Sequence, residues 1–519
     1  MATVSTTTTR IELTTSAGVE PPIQSSPAAE DGTQAEASSK GTTAAIFASI
    51  AGVTGISSLL TGMVTVMLPK MAKDLDISDA VLLWPTSIYA LTCGCSLILA
   101  GAVADVVGSR VMYLLGCFLQ SVFTLACGLA QDSLQLIFFR GLAGIAIAFC
   151  LPSAVSLITA YFPHGQRRNA AFAAMGGGQP IGFSIGLVIG GVLADGPGWR
   201  VGFYIAAAVN TVLLILAFWC LPRASQPAAM SLHRLRTEID WPGALILSTS
   251  LGLLSYVFAA LTGSVSSIRA PSTIACLSLA IVLIPVFVMW VGRQEKFGRP
   301  AIIPNSIWRN RIFKTVCIDV FLAWAAANAL ESLFSFFFQD VQRLTATQAS
   351  LRFLPAPVAG VITNVIMGLA IHKINANWAV ILTMTISSIA PILAAVMKSR
   401  DPYWEFALPA LVLNDPGSDT LFTVSNLIIT AAFPGKTQAL AGAVFNTVSK
   451  IGQSVGLALC AVIAGSITRK SHDAEKTAPP ALLEGYHAAF WFCLAITSTT
   501  LIVSLWGLRD IGKIGLKRE

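Results

Sequence analysis

Six charged side chains stand inside stretches of the sequence that are otherwise apolar: Arg140, Asp319, Glu331, Asp415, Asp419 and Lys450. A charge at the centre of a membrane-spanning helix costs about 2.5–3.5 kcal/mol on insertion scales, so it must face water, a partner or a ligand. Asp415 and Asp419 are one turn apart and share a helix face. Burial favours the neutral form of a carboxylic acid and a nearby cation favours its anion, so an acid moving between the two settings loads and releases a proton. Lys450, at mid-depth in its own stretch, is an available cation; a static Asp–Lys pair that fixes helix packing is the alternative. Glu331 is a further proton-carrying candidate, whereas Asp319 lies near Arg311 and Lys314 and is placed to pair with them. Arg140 lies about two turns from the end of its stretch, where its long side chain either snorkels to the interface or serves chemistry inside. The five histidines (His164, His233, His372, His472 and His487) all fall in loops or at their edges. Trp324, Asn328, Phe334 and Phe337 recur at helical spacing around Glu331 and are candidates to line an apolar pocket, although such a stripe equally serves plain packing.

The elements that carry these residues are set by composition. The 519 residues are 55% hydrophobic and 11% charged, against about 25% charged in soluble chains, and mean hydropathy is +0.72. Soluble cores stop growing near roughly 250–300 residues, so this apolar surface requires a bilayer as solvent. From Ala44 onward, apolar stretches of the length needed to cross a hydrocarbon core alternate with short polar breaks. They read as 44–68, 82–103, 111–130, 134–160, 170–194, 200–221, 242–262, 272–292, 312–338, 350–371, 377–398, 404–432, 438–468 and 488–508: an all-α membrane protein of fourteen spans. With the N-terminus inside, 20 Lys and Arg fall on the inner side and 11 on the outer, which places both termini in the cytosol.

The organisation predicted from these breaks is a disordered cytosolic tail over 1–40, rich in Ser and Thr, then six helices over 44–221. A cytosolic loop (222–241), two further helices (242–292) and a second cytosolic loop (293–311) lead to a last block of six (312–508) and a tail (509–519). The net charge of +7 is spread over short loops, with no aromatic-interleaved basic patch, so no nucleic-acid partner is expected. All ten cysteines fall in apolar stretches, which argues against disulfides, metal and cofactor; Cys93 and Cys95 lack further ligands nearby. No phosphate loop or nucleophile elbow appears, so the chain is not expected to be an enzyme, and an ion gradient or the substrate's own gradient must supply the energy for any work.

Two glycine patterns stand out. Gly101, Asp105, Gly108 and Arg110 form a tight turn between the second and third stretches, where the acid and the base can pair or cap helix ends. Gly178, Gly182, Gly186 and Gly190, with Gly191 beside them, leave one helix face bare, so that another backbone can approach closely.

In this order, together with Arg140-Gly141 and Gly144, Trp199-Arg200, Asp240-Trp241-Pro242-Gly243 and Gly442 to Asn446, these motifs resemble the major facilitator superfamily. More narrowly they are similar to its fourteen-helix drug:proton antiporter branch, and with the Ser/Thr-rich tail to fungal members. The resemblance implies two six-helix bundles plus two extra helices, a proton-coupled efflux pump working by alternating access, and export of a small organic molecule such as a secondary metabolite, toxin or drug. It implies the conformational-switch role for Gly101, Asp105, Gly108 and Arg110, a monomer, and the plasma membrane, with the vacuolar or vesicular membrane as alternatives. Two positions depart from the pattern: Leu187 stands where the antiporter motif has proline, and Leu60 to Met63 lack the family's first-helix aspartate. These departures motivate a second reading, uptake or facilitated flux of a small ammonium- or borate-like solute; a non-transporting sensor is a third.

Overall fold

A computed structural model describes residues 40–78, 81–162, 166–221, 237, 239–263, 270–370, 374–432, 435–470 and 479–509. Residues 1–39, 222–236 and 510–519 of the expected tails and first loop lie outside the described residues. The described chain is helical almost throughout. In chain order the helices are α1 (Lys40–Asp74), α2 (Trp84–Val107), α3 (Ser109–Leu129), α4 (Ser133–Tyr161), α5 (Gln166–Asp195), α6 (Trp199–Cys220), α7 (Trp241–Gly263) and α8 (Pro271–Lys296). There follow α9 (Arg311–Phe336), closed by a π-helical turn (Phe337–Val341), then α10 (Ala346–Phe353), α11 (Pro355–Ala370), α12 (Ala376–Ser387), α13 (Ile389–Val396), α14 (Ala407–Ala432), α15 (Gly435–Lys470) and α16 (Pro479–Gly507).

The solvent for these helices is legible in α3. Its buried face carries Met112, Gly116, Cys117, Gln120, Thr124 and Cys127, while the exposed face carries Val111, Leu115, Phe118, Val122, Leu125 and Leu129. The outer stripe is thus the more apolar one, as lipid demands, and the helix satisfies its own backbone. Twelve described segments are long and apolar enough to cross a membrane. Two helices fall short of that measure: the apolar part of α5 is Ile181–Asp195, and α14, which carries Asn414, Asp415 and Asp419, is not among the twelve.

Local chemistry sets the boundaries. Gly108 alone joins α2 to α3, at φ +104°, a conformation that favours glycine. Asp132 caps α4, accepting from Gln135 N at 2.8 Å, and Asn310 caps α9, accepting from Ile312 N at 2.9 Å. The expected span 350–371 divides into α10 and α11 ahead of Pro355, and 377–398 divides into α12 and α13 at Ser388. The packing groups α2, α3, α4 and α6 with one another, and α9 with α14, α15 and α16; α7 rests on α2 and α15, with α8 outside it.

The connections α1–α2, α3–α4, α5–α6 and α13–α14 meet at one end of the bundle, the distal end. There Trp199 Nε1 donates to Asp74 at 3.0 Å, Arg200 to the Ala130 carbonyl at 3.1 Å and Tyr403 to the Arg352 carbonyl at 2.6 Å. At this end one apolar core is shared by α1 (Leu60, Met63, Val64) and α9 (Ala329, Leu330, Leu333).

Candidate functional site

The acidic residues converge across two helices. Asp415 and Asp419 project from one face of α14, and Glu331 of α9 stands within electrostatic range of both. All three are half-buried, so part of each residue stays solvent-accessible. Asn414 Nδ2 donates to Asp415 Oδ1 at 3.0 Å. Asn364 of α11 lies against Asp419 and accepts from Thr423 at 3.2 Å. Asp419 Oδ2 has no hydrogen-bond partner among the described residues. Like charges within electrostatic range in a low-dielectric interior repel, and protonating one of them relieves the repulsion.

Lys450 is not their counter-ion: among the described residues no ion pair joins it to either aspartate. It lies on α15 with its Cβ against Gly94 of α2, near Cys93, and its Nζ donates to Gln453 Oε1 at 3.4 Å. Pro416 does not break α14, because Ser387 of α12 stitches the helix across the proline. Its hydroxyl donates to the Asn414 carbonyl at 3.0 Å and accepts from Gly417 N at 2.8 Å.

One turn beyond Asp419, Phe422 meets Trp324 edge-on (6.2 Å between centroids) and tilts on Phe445 (5.3 Å). Trp324 and Asn328 are half-buried on the Glu331 side of α9, with the indole N–H of Trp324 unpaired among the described residues. Phe334 and Phe337 do not line this space. Both are fully buried in the distal core, where Phe334 packs on Phe338 (5.7 Å) and Phe490 (5.4 Å). Asp319 does not pair with Arg311 or Lys314 either. It is buried against α16, accepting from Ser504 at 2.8 Å, while Arg311 donates to the Trp506 carbonyl at 3.1 Å.

Arg140 does not snorkel. It is 1% exposed, donates from Nε to the Pro85 carbonyl at 3.0 Å and lies 4.5 Å from the centre of the Tyr89 ring. Tyr89 is in turn fixed by Ser57 of α1 at 2.8 Å and Gln120 of α3 at 3.5 Å. Arg140 Nη2 has no partner among the described residues.

The glycine motifs are placed by the same geometry. Arg110 caps the end of α6, donating to Leu221 O at 2.9 Å and Phe218 O at 3.0 Å, while Asp105 is exposed rather than paired with it. Gly101 faces Pro152 of α4. Gly178, Gly182, Gly186 and Gly190 run along the backbone of α1 at Ala51, Gly55, Leu59 and Met63, and Gly191 turns to Ala346 and Ser350 of α10. Sequence reasoning missed Asn364, Asn414 and Thr423, whose uncharged polarity draws no attention in an apolar helix, and Tyr89, whose neighbours come from three other helices.

The Major Facilitator Superfamily profile matches residues 50–456. This chain belongs to that superfamily. It is 39% identical to "MFS-type transporter 1" of Pyricularia oryzae, over 91% of this chain and 84% of that one. It is 25% identical to the "Low affinity ammonium transporter" of Saccharomyces cerevisiae (81% and 79% covered) and 24% identical to "Efflux pump terJ" of Aspergillus terreus (86% and 84%). Among solved structures it is similar to a bacterial homolog of the human lysosomal transporter Spinster, with TM-score 0.62 and 16% identity over 91% of this chain and 98% of that one. The superfamily and fold are those of multi-pass membrane transporters of small molecules, which are not enzymes.

Proposed function

We propose that this chain is a proton-coupled exporter of a small organic molecule, working by alternating access, with the Glu331–Asp415–Asp419 cluster as the proton-carrying group. The observation that carries the reading is the cluster itself: three half-buried carboxylates in mutual range, with no cation beside them among the described residues. A proton entering the cluster removes a charge that hydration or a ligand otherwise has to balance, and so couples occupancy of the site to the gradient. Trp324, Asn328 and Phe422 offer the adjoining surface for an apolar body. Lys450 at the α2–α15 crossing and Arg140 beneath Tyr89 supply the charges that respond when the helices move. The α2–α3 turn, with Gly108 and Arg110, and the α1–α5 glycine seam hold the first six helices together as one moving body.

In this reading α5 and α14 also span the bilayer. The spans then number fourteen, as two six-helix bundles with α7 and α8 between them and both termini in the cytosol. The protein acts as a monomer in the plasma membrane. The relative named as an efflux pump supports export; the one named as an ammonium transporter favours a second reading, uptake of a small nitrogenous solute. Comparing solutes inside and outside cells with and without the gene separates the two. A compound that accumulates inside the deletion strain and falls outside establishes export, and one that becomes scarce inside establishes uptake. Collapse of the difference by a protonophore tests the coupling.

A further inference from the structure

The first six helices meet the last helices along the distal end at contacts of two kinds. Within the seal, Ser335 of α9 donates to the Thr65 carbonyl at 2.9 Å and Gln339 to the Val66 carbonyl at 3.3 Å, beside the apolar core shared by α1 and α9. At the rim, Asp195, the last residue of α5, accepts from the backbone N–H of Thr347 in the first turn of α10 at 2.8 Å. The Thr347 hydroxyl returns a bond to the Gly191 carbonyl at 3.1 Å. Gly191 makes the approach possible, since a Cβ there would stand 2.7 Å from the Ala346 carbonyl oxygen.

These contacts differ in how they respond to separation. The seal bonds are neutral and the Ser335 bond is buried. Asp195 is exposed and charged, docked on the N-terminal turn of a helix whose free N–H groups and dipole attract an anion. When the two parts separate, its carboxylate returns to water at small cost, whereas a charge in the seal would not. An exposed charged hydrogen bond across a moving seam is therefore strong enough to bias two states and weak enough to break in each cycle.

We propose that Asp195 is the latch of the distal mouth: docked on α10 it holds the mouth closed, and its release accompanies opening. The proposal needs the transporter fold and is independent of which acid carries the proton. Gly191 and Thr347 position the latch.

Spin labels introduced by Q131C, in the exposed α3–α4 connection, and E405C, in the exposed α13–α14 connection, report the width of the mouth in the purified full-length protein. D195N in that background is expected to raise the population of long separations about three- to tenfold, the range for a charge and a bond at an exposed helix end. D195E, which keeps the charge, is expected to return most of it. T347A, which removes the bond to Gly191 and leaves the carboxylate, is expected to shift the distribution in the same direction by less. D195S, which removes the charge with a smaller side chain, decides the question if D195N fails to fold. An unchanged distance distribution in folded D195N, or in D195S where D195N does not fold, overturns the latch.

Discussion

At the scale of single residues, the site is an imbalance of charge. Three carboxylates of α9 and α14 lie within electrostatic range of one another, while the embedded cations Lys450 and Arg140 belong to other neighbourhoods. If the cluster carries the proton, D419N removes the ionisable oxygen with little change in shape. Gradient-driven transport is then expected to fall by more than about tenfold in D419N while exchange of labelled for unlabelled substrate persists, as expected when one charge is lost without loss of the binding surface. Loss of both activities together, with the protein folded, would instead assign Asp419 to binding. Arg140 has a separate test. Its planar guanidinium stacks on Tyr89 while Nε bonds the Pro85 carbonyl, and a lysine ammonium cannot do both. R140K is expected to lower stability by about 1–3 kcal/mol, the range for leaving a buried acceptor unpaired, read as a drop in melting temperature of the purified protein.

At the scale of elements, glycine position decides what a helix can approach. A Cβ at Gly186 would stand 2.8 Å from the Leu59 Cα on α1, whereas one at Gly252 of α7 meets nothing within 4 Å. G186A is expected to destabilise by roughly 1–3 kcal/mol through overpacking, and G252A to be neutral or stabilising by up to about 1 kcal/mol through helix propensity. Thermal unfolding of the pair tests the seam, because equal melting temperatures would mean that α1 and α5 do not need close contact. The α5 stripe was legible because glycines every four residues fall on one face whatever the partner. That the partner is α1 was not legible, nor that Gly191 leaves the stripe for α10. The α14 proline shows the opposite limit: Asp415-Pro416-Gly417 reads as a break, but Ser387 on α12 supplies the bonds that let the helix run through.

At the scale of the whole molecule, α7 and α8 are fastened rather than merely appended. Asp240, 6% exposed, accepts from Gly243 N and Trp290 Nε1, both at 2.9 Å, and from Ile302 N at 3.4 Å, tying the start of α7 to α8 and to the segment that follows it. The outward face of α8, with Ile281, Val282, Val288 and Met289, is left to lipid. D240A leaves three donors without their acceptor. Limited proteolysis is expected to cut near residues 297–304 several-fold faster in D240A than in the parent, with the rest of the chain protected; equal rates would show that lipid alone holds the two helices.

The sequence by itself determined that this is a helical membrane protein, where most of its helices run, which charges lie within them and which superfamily its motifs belong to. Those properties follow from composition and from the 3.6-residue period, which act locally along the chain. Tertiary structure decided which charges meet. Asp319 found Ser504 instead of Arg311, Lys450 found Gln453 instead of an aspartate, and Phe334 and Phe337 entered the distal core instead of a pocket. A helix face has several possible neighbours, and the direction it turns is set by packing against helices distant in sequence, so these pairings could not be read from spacing alone.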